Sequence, residues 1–248
     1  MRKIAIITGA SRGIGAATAI RLAKDGFDIC VNYLHNKEAA ESVVEAAIAK
    51  GARAIAVQAD ISDENQVKTL FAVVDKELGR PHALVNNAGI LFQQCRLSDM
   101  NAERINRVLT TNVTGYFLCC KEAVLRMSNK RGGSGGVIVN VSSAASRLGA
   151  AGEYVDYAAS KGAIDTLTIG LANEVAEEGI RVNAVRPGLI YTDMHASGGE
   201  PGRVDRLKDR LPLKRGGQVE EVAAAIAWLV CDESSYTTGG FIEVSGGR

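Results

Sequence analysis

Short apolar runs alternate with longer stretches of helical periodicity along the chain, the pattern of a parallel sheet whose strands are joined by crossover helices. Runs at 3–8, 28–32, 53–58, 83–86, 137–141, 180–185 and 241–244 predict seven strands. Between them, 14–24, 37–50, 62–78, 102–127, 153–177 and 218–230 carry helical spacing. Gly51 stands where a left-handed C-terminal cap belongs, and Ser62 or Asp63 suits an N-terminal cap. Ile4–Ile7, Val137–Val141 and Ile180–Val185 are apolar apart from single polar interruptions, as strands covered on both faces require. The expectation is a single α/β domain over 1–248: a Rossmann-like doubly wound parallel sheet of seven strands with helices on both faces. The segment 191–217 breaks the texture. Its turn-rich Ser197-Gly198-Gly199-Glu200-Pro201-Gly202, followed by charged residues and sparse apolar positions, predicts a substrate lid.

Composition narrows the function classes. The chain has 248 residues, 46% of them hydrophobic, and a formal net charge of +1, which lacks the basic excess of a nucleic-acid or anionic-membrane partner. Cys30, Cys95, Cys119, Cys120 and Cys231 are odd in number and form no C-x-x-C, so neither a disulfide framework nor structural zinc is expected. His35, His82 and His195 form no metal-binding motif, so a catalytic metal is not expected either. No run reaches 18 apolar residues, and the apolar start after Met1-Arg2-Lys3 is too short for a signal-peptide core; a cytoplasmic protein follows. Cys119, Cys120 and Trp228 are expected to be core residues.

The 27 glycines become informative through their placement. The first strand runs into Thr8-Gly9-Ala10-Ser11-Arg12-Gly13-Ile14-Gly15 and then directly into a helix. Glycines there let the backbone approach a pyrophosphate, and the helix start supplies free N–H groups and the positive end of its dipole. An ordinary strand–helix turn needs one glycine, not three. At the end of the second strand, Val31-Asn32-Tyr33-Leu34-His35-Asn36 lacks the carboxylate that would bind a ribose 2′-hydroxyl. With Arg12 available for a 2′-phosphate, NADP(H) is favoured and NAD(H) remains possible.

Tyr157 and Lys161 stand four residues apart in Tyr157-Ala158-Ala159-Ser160-Lys161, hence on one helical face. A neighbouring ammonium favours phenolate, which predicts a tyrosine pKa lowered toward general acid–base use. Ser142 and Ser143 follow the fifth strand, and Asn86-Asn87-Ala88-Gly89 ends the fourth, at the sheet edge where ligands of such folds bind.

Taken together, Thr8-Gly9-x-x-x-Gly13-x-Gly15, Asn86-Asn87-Ala88-Gly89, Asn112, the serine after Val139-Asn140-Val141, Tyr157-x-x-x-Lys161 and Pro187-Gly188 resemble the short-chain dehydrogenase/reductase family in order and spacing. Within it the chain resembles bacterial 3-oxoacyl-ACP reductases and glucose 1-dehydrogenase-like members. The resemblance implies an NAD(P)-dependent oxidoreductase acting on a carbonyl or secondary alcohol. In it Tyr157 is the acid–base, Lys161 tunes Tyr157 and binds the nicotinamide ribose, Ser143 holds the substrate oxygen, and Asn112 anchors a water relay. It adds Asp60 and Ile61 as an adenine-binding pair, Asn87, Ala88 and Gly89 as a cofactor wall, and Ile190 and Thr192 beyond Pro187-Gly188 as carboxamide contacts. The expected cofactor-facing set is completed by Gly9, Ser11, Arg12, Gly13, Ile14, Gly15 and Asn32. The family is commonly tetrameric through the helices of 102–127 and 153–177 and the last strand. Glu153, Tyr154, Gln93, Gln94 and 191–213 are expected to line the pocket, with His195, Glu200, Arg203 and Arg206 giving it a polar entrance or, equally, a solvated charged surface.

Two other classes compete. Gly132-Gly133-Ser134-Gly135-Gly136 satisfies the G-x-S-x-G pattern of a hydrolase, but a helix precedes it and a strand follows, the reverse of a nucleophile elbow. A non-catalytic NADP sensor would need neither Ser143 nor Tyr157. An NAD-preferring sugar dehydrogenase is the alternative within the enzyme class.

Overall fold

The computed structural model describes residues 2–248. Seven parallel strands, β1 (Lys3–Ile7), β2 (Phe27–Tyr33), β3 (Ala54–Gln58), β4 (Ala83–Asn86), β5 (Gly136–Val141), β6 (Ile180–Pro187) and β7 (Phe241–Val244), form one sheet in the order β3-β2-β1-β4-β5-β6-β7. All seven expected strands are present, with ends shifted by a residue or two.

Strand parity divides the core. Ala5, Ile7, Ile29, Val31, Val139 and Val141 pack beneath α1 (Gly13–Lys24), α2 (Lys37–Ile48) and α10 (Val219–Val230). Ile4, Ile6, Cys30 and Ile138 point the other way, beneath α3 (Glu64–Glu77), α5 (Gly115–Met127) and α7 (Val155–Val175). Successive side chains of a strand face opposite sides, so a sheet covered twice needs apolar residues at both parities. Cys119 and Cys120 are buried as expected. Trp228 is not: it is 40% exposed, because the buried stripe of α10 is completed by Val222, Ala223, Ile226, Ala227, Leu229 and Val230.

The expected continuous helix over 102–127 is broken. It consists of α4 (Ala102–Leu109), a π-helical turn (Thr110–Thr114) and α5. Such a wide turn inserts one extra residue and redirects a side chain; here it buries Asn112. The helix expected over 153–177 is α7 followed by a short 3-10 turn, and a further short helix, α6 (Ala145–Leu148), precedes it. The segment 191–217 holds α8 (Met194–Ser197) and α9 (Arg203–Leu207) and has a small core of its own, in which Val204, Leu207 and Leu211 pack with Leu189. Ser134 sits in a turn between α5 and β5, where Gly132 and Gly135 have positive φ, so the hydrolase elbow has no structural counterpart.

Among the described residues, no helix is long and apolar enough to cross a membrane, and no three His, Cys, Asp or Glu side chains gather as metal ligands.

Candidate active site

The chain order reverses between β1 and β4, which opens a crevice at their carboxyl ends, the place where doubly wound sheets bind ligands. Thr8 ties the two strand ends together: its hydroxyl accepts from the Asn87 and Ala88 amides at 2.9 and 3.1 Å. The Asn87 side-chain amide donates to the Thr8 and Gly9 carbonyls at 2.9 and 3.0 Å. The loop leaves no room for side chains. A Cβ on Gly9, whose φ is +59°, would lie 2.8 Å from Ala88 Cα, and one on Gly15 would lie 2.5 Å from Asn87 Nδ2.

The start of α1 differs from those of α2, α3 and α4. Those are capped by Asn36, Asp63 and Asn101, each with an acidic residue in the first turn; α1 begins at Arg12 with no side-chain cap and no acid. Its first N–H groups and dipole are therefore left for an outside anion. This cradle fits a dinucleotide pyrophosphate, with Ser11, Gly13, Ile14 and Gly15 around it. Arg12 projects into solvent and lies 3.8 Å from Asp193. Beyond β2, Leu34, His35 and Asn36 are exposed and bring no carboxylate.

Other predicted cofactor positions are used internally. Asn32 is buried; its oxygen accepts from the Gly9 amide at 3.2 Å, and its nitrogen donates to the Val57 and Ala59 carbonyls at 3.3 and 3.0 Å. It shapes the glycine loop from behind. The Ile61 side chain is core, filling the space above Gly115, where a Cβ would come within 2.8 Å. Asp60 accepts from the Ser62 amide and hydroxyl at 2.9 and 2.6 Å. Ala88 and Gly89 continue the wall, with Gly89 beside Asn112 and Lys161.

Ile14, Asn87, Ser143, Tyr157, Lys161, Pro187, Gly188, Ile190 and Thr192 line one continuous cleft. The adjacent serines separate by direction. Both border the cleft, but the Ser142 hydroxyl donates to Asp165 at 2.6 Å, whereas the Ser143 hydroxyl is within hydrogen-bond reach of Tyr157. Asn112 is held from three sides: Ile90 N–H donates to its oxygen at 2.8 Å, and its nitrogen donates to the Ile90 carbonyl at 2.9 Å and to Ser160 Oγ at 3.1 Å.

The electrostatics differ from the expectation of a tyrosine pKa lowered by Lys161. Burial pushes the Tyr157 phenol up to about 12, against a hydrogen bond with Ser143 that favours the phenolate. Burial also pulls Lys161 down to about 7, opposed by the negative charge of Asp165. The reason is positional. Lys161 Nζ donates to the Val141 carbonyl at 2.7 Å and to Tyr116 Oη at 3.3 Å, and lies 5.6 Å from the Tyr157 ring centre. Desolvation disfavours both charged forms before any close ion pairing can favour them.

The polar entrance expected from 191–217 is also corrected. Arg203 is buried, donates to Glu153 Oε1 at 2.9 Å and pairs with Glu200 at 3.3 Å; Arg206 pairs with the same Glu200. The Arg203–Glu153 pair clamps the segment to the entry of α7, and the Glu200 pairs brace the segment internally; Arg203 borders the cleft with its charge already paired. Gln93 and Gln94, expected in the pocket, help the clamp: Gln94 donates to Glu200 at 2.6 Å and Gln93 packs under Gly199. Glu153, Tyr154 and His195 do line the cleft. Leu91, Leu148 and Leu189, joined by Met194 of the expected segment, supply an apolar wall; the sequence did not single out the three leucines, since isolated apolar residues in loops carry no periodic signal.

A doubly wound parallel sheet with an uncapped glycine-loop helix, and with Ser143, Tyr157 and Lys161 at its carboxyl edge, defines a nicotinamide-dependent oxidoreductase. The family model described as enoyl-(acyl carrier protein) reductase matches residues 9–248, and the chain belongs to the short-chain dehydrogenase/reductase family. It is 64% identical over 245 residues to the uncharacterized oxidoreductase YgfF of Escherichia coli, covering 99% of both chains. It is 39% identical over 251 residues to the 3-oxoacyl-[acyl-carrier-protein] reductase FabG of Staphylococcus aureus, covering 100% of this chain and 98% of that one. Its fold is similar to that of a short-chain dehydrogenase from Burkholderia cenocepacia in complex with NADP, with a TM-score of 0.90, 35% identity, and 99% and 97% of the two chains covered.

Proposed function

We propose that the chain transfers hydride between NADP(H) and a carbonyl or secondary alcohol substrate, with Tyr157 as the general acid–base. The observation that carries this reading is the meeting of Ser143 and Tyr157 on the wall of a cleft that also reaches Ile14, in the first turn of the uncapped α1. A bound nicotinamide supplies or accepts the hydride. In the reducing direction the Ser143 hydroxyl donates to the substrate oxygen and orients it, and Tyr157 gives that oxygen its proton. Lys161 returns a proton to Tyr157, and Asn112, fixed by Ile90 and Ser160, holds the water that feeds Lys161. A phenol raised by burial keeps its proton until the substrate oxygen gains charge, as a general acid in the reducing direction must.

Preference for NADP(H) is supported by Arg12 and by the absence of a carboxylate after β2. Residues 1–248 act as one domain in the cytoplasm, with 191–217 as the lid. Exposed Phe117 and Leu125 on α5 and Ile169 on α7 support burial of these helices in a homotetramer.

Tyr157→Phe tests the reading. Turnover of ketones should be lost while NADPH affinity stays within a few fold of the parent; normal turnover in this variant refutes the role. Higher kcat/KM with NADH than with NADPH would instead favour the sugar-dehydrogenase alternative.

A further inference from the structure

His195, on α8, lines the same cleft as Ser143 and Tyr157, and the mechanism above leaves it unused. Its Nε2 lies 2.9 Å from the Ile190 carbonyl oxygen. A carbonyl can only accept, so Nε2 carries the proton. Burial holds the imidazole below its ordinary pKa, and the Arg203 cation pushes the same way against the Ile190 hydrogen bond and Glu200, so the ring is neutral near pH 7. A neutral ring protonated at Nε2 presents Nδ1 as a pure acceptor. Among the described residues no group donates to Nδ1, and it is not one of the sealed polar atoms left without a partner; it is open to an outside donor.

The neighbouring polar groups are committed elsewhere. Glu153 and Arg203 hold each other, the Tyr154 hydroxyl donates to the Gly198 carbonyl at 3.2 Å, and Ser142 is bound to Asp165. Leu91, Leu148, Leu189 and Met194 give the substrate side an apolar surface, and Arg248, whose side chain can only donate, reaches the same cleft. Ser143 and Tyr157 both donate toward a reacting carbonyl oxygen, whereas Nδ1 requires a donor in return.

We infer that His195 accepts a hydrogen bond from a hydroxyl on the substrate, so that the preferred substrates are hydroxyketones and the corresponding diols. The inference rests on the oxidoreductase reading above and adds the substrate's second polar anchor to it. An unpaired acceptor beside an apolar wall discriminates against an analogue that lacks the hydroxyl, because the acceptor is then covered without a partner.

The test uses matched pairs with NADPH: acetoin against butanone, and hydroxycyclohexanone against cyclohexanone. The parent should favour the hydroxylated member of each pair by about tenfold or more in kcat/KM. His195→Leu should bring this ratio close to one, chiefly by loss on the hydroxylated member, with the KM for NADPH within a few fold of the parent. His195→Asn, which restores an acceptor oxygen near the Nδ1 position, should recover part of the ratio. Equal use of both members by the parent, or a ratio that His195→Leu leaves unmoved while ketones are still reduced, overturns the inference alone. Failure to reduce any ketone with either nicotinamide overturns the functional reading and the inference with it.

Discussion

Neighbouring residues of the same type have separate tasks here, and hydrogen-bond direction separates them. Ser142 is spent on Asp165 inside the fold; Ser143, one residue on, faces the cleft. Lys161 shows the conflict between site and stability most directly. Its pKa falls from an ordinary 10.5 to about 7 on burial. Above pH 10.5 the lysine is neutral in both folded and unfolded chains and costs nothing by this route. As the pH falls toward 7, the unfolded chain takes up the proton and the folded one does not, so stability declines; below 7 both are charged and the penalty levels off. Lys161→Met should therefore be inactive yet more stable than the parent at pH 8 by roughly 1–3 kcal/mol, after allowance for the lost hydrogen bonds. Urea midpoints from pH 7 to 10 check this: the gap should shrink as the pH rises, and a constant gap would count against it. The sequence revealed that Tyr157 and Lys161 share a helical face. It did not reveal that the Val141 carbonyl and Tyr116 hold the ammonium, because both come from other elements.

At the scale of elements, the start of α1 and the turn before α5 depart from regular geometry, and both departures serve the site. The glycine loop was legible because its spacing, its strand and its helix are contiguous in sequence. The crowding behind it was not, since Asn87 and Ala88 arrive from β4. Gly15→Ala would place a methyl 2.7 Å from the Gly9 carbonyl as well as against Asn87, so the loop must shift. The expected result is a rise of tenfold or more in the Kd for NADPH, measured by fluorescence titration, with little loss of secondary structure by circular dichroism; unchanged affinity would show that the cradle tolerates the shift. The π-helical turn at 110–114 escaped the sequence because its periodicity merges with that of the helices on both sides. Its consequence is local: Asn112, within the turn, is buried and bonded to both Ile90 and Ser160. Trp228 was misjudged for a related reason, since hydrophobicity alone does not say which side of α10 faces the sheet.

Across the whole molecule, the segment 191–217 is fastened at separate points: Arg203 to Glu153, Glu200 to Gln94, and Gly198 onto Leu91 and Tyr154. Arg203→Ala would leave Glu153 without its cation, while Glu200 keeps Arg206 and Gln94, so the segment would lose its ionic tie to the entry of α7. Limited proteolysis should then cut faster near Gly198–Gly202, and the KM for a ketone should rise several fold while NADPH affinity holds; resistance equal to the parent's would show that the apolar cluster of Leu189, Val204, Leu207 and Leu211 suffices. By itself the sequence determined the strand count, the parallel order of strand and helix, the glycine-rich turn after β1 and the shared helical face of Tyr157 and Lys161, because these depend on periodicity and on residues close in the chain. Only the tertiary structure decided which charges are free and which are spent, how far burial moves Tyr157 and Lys161, and that His195 keeps an open acceptor in an apolar wall. Those properties arise where distant segments meet and exclude water, and a linear pattern carries no record of desolvation.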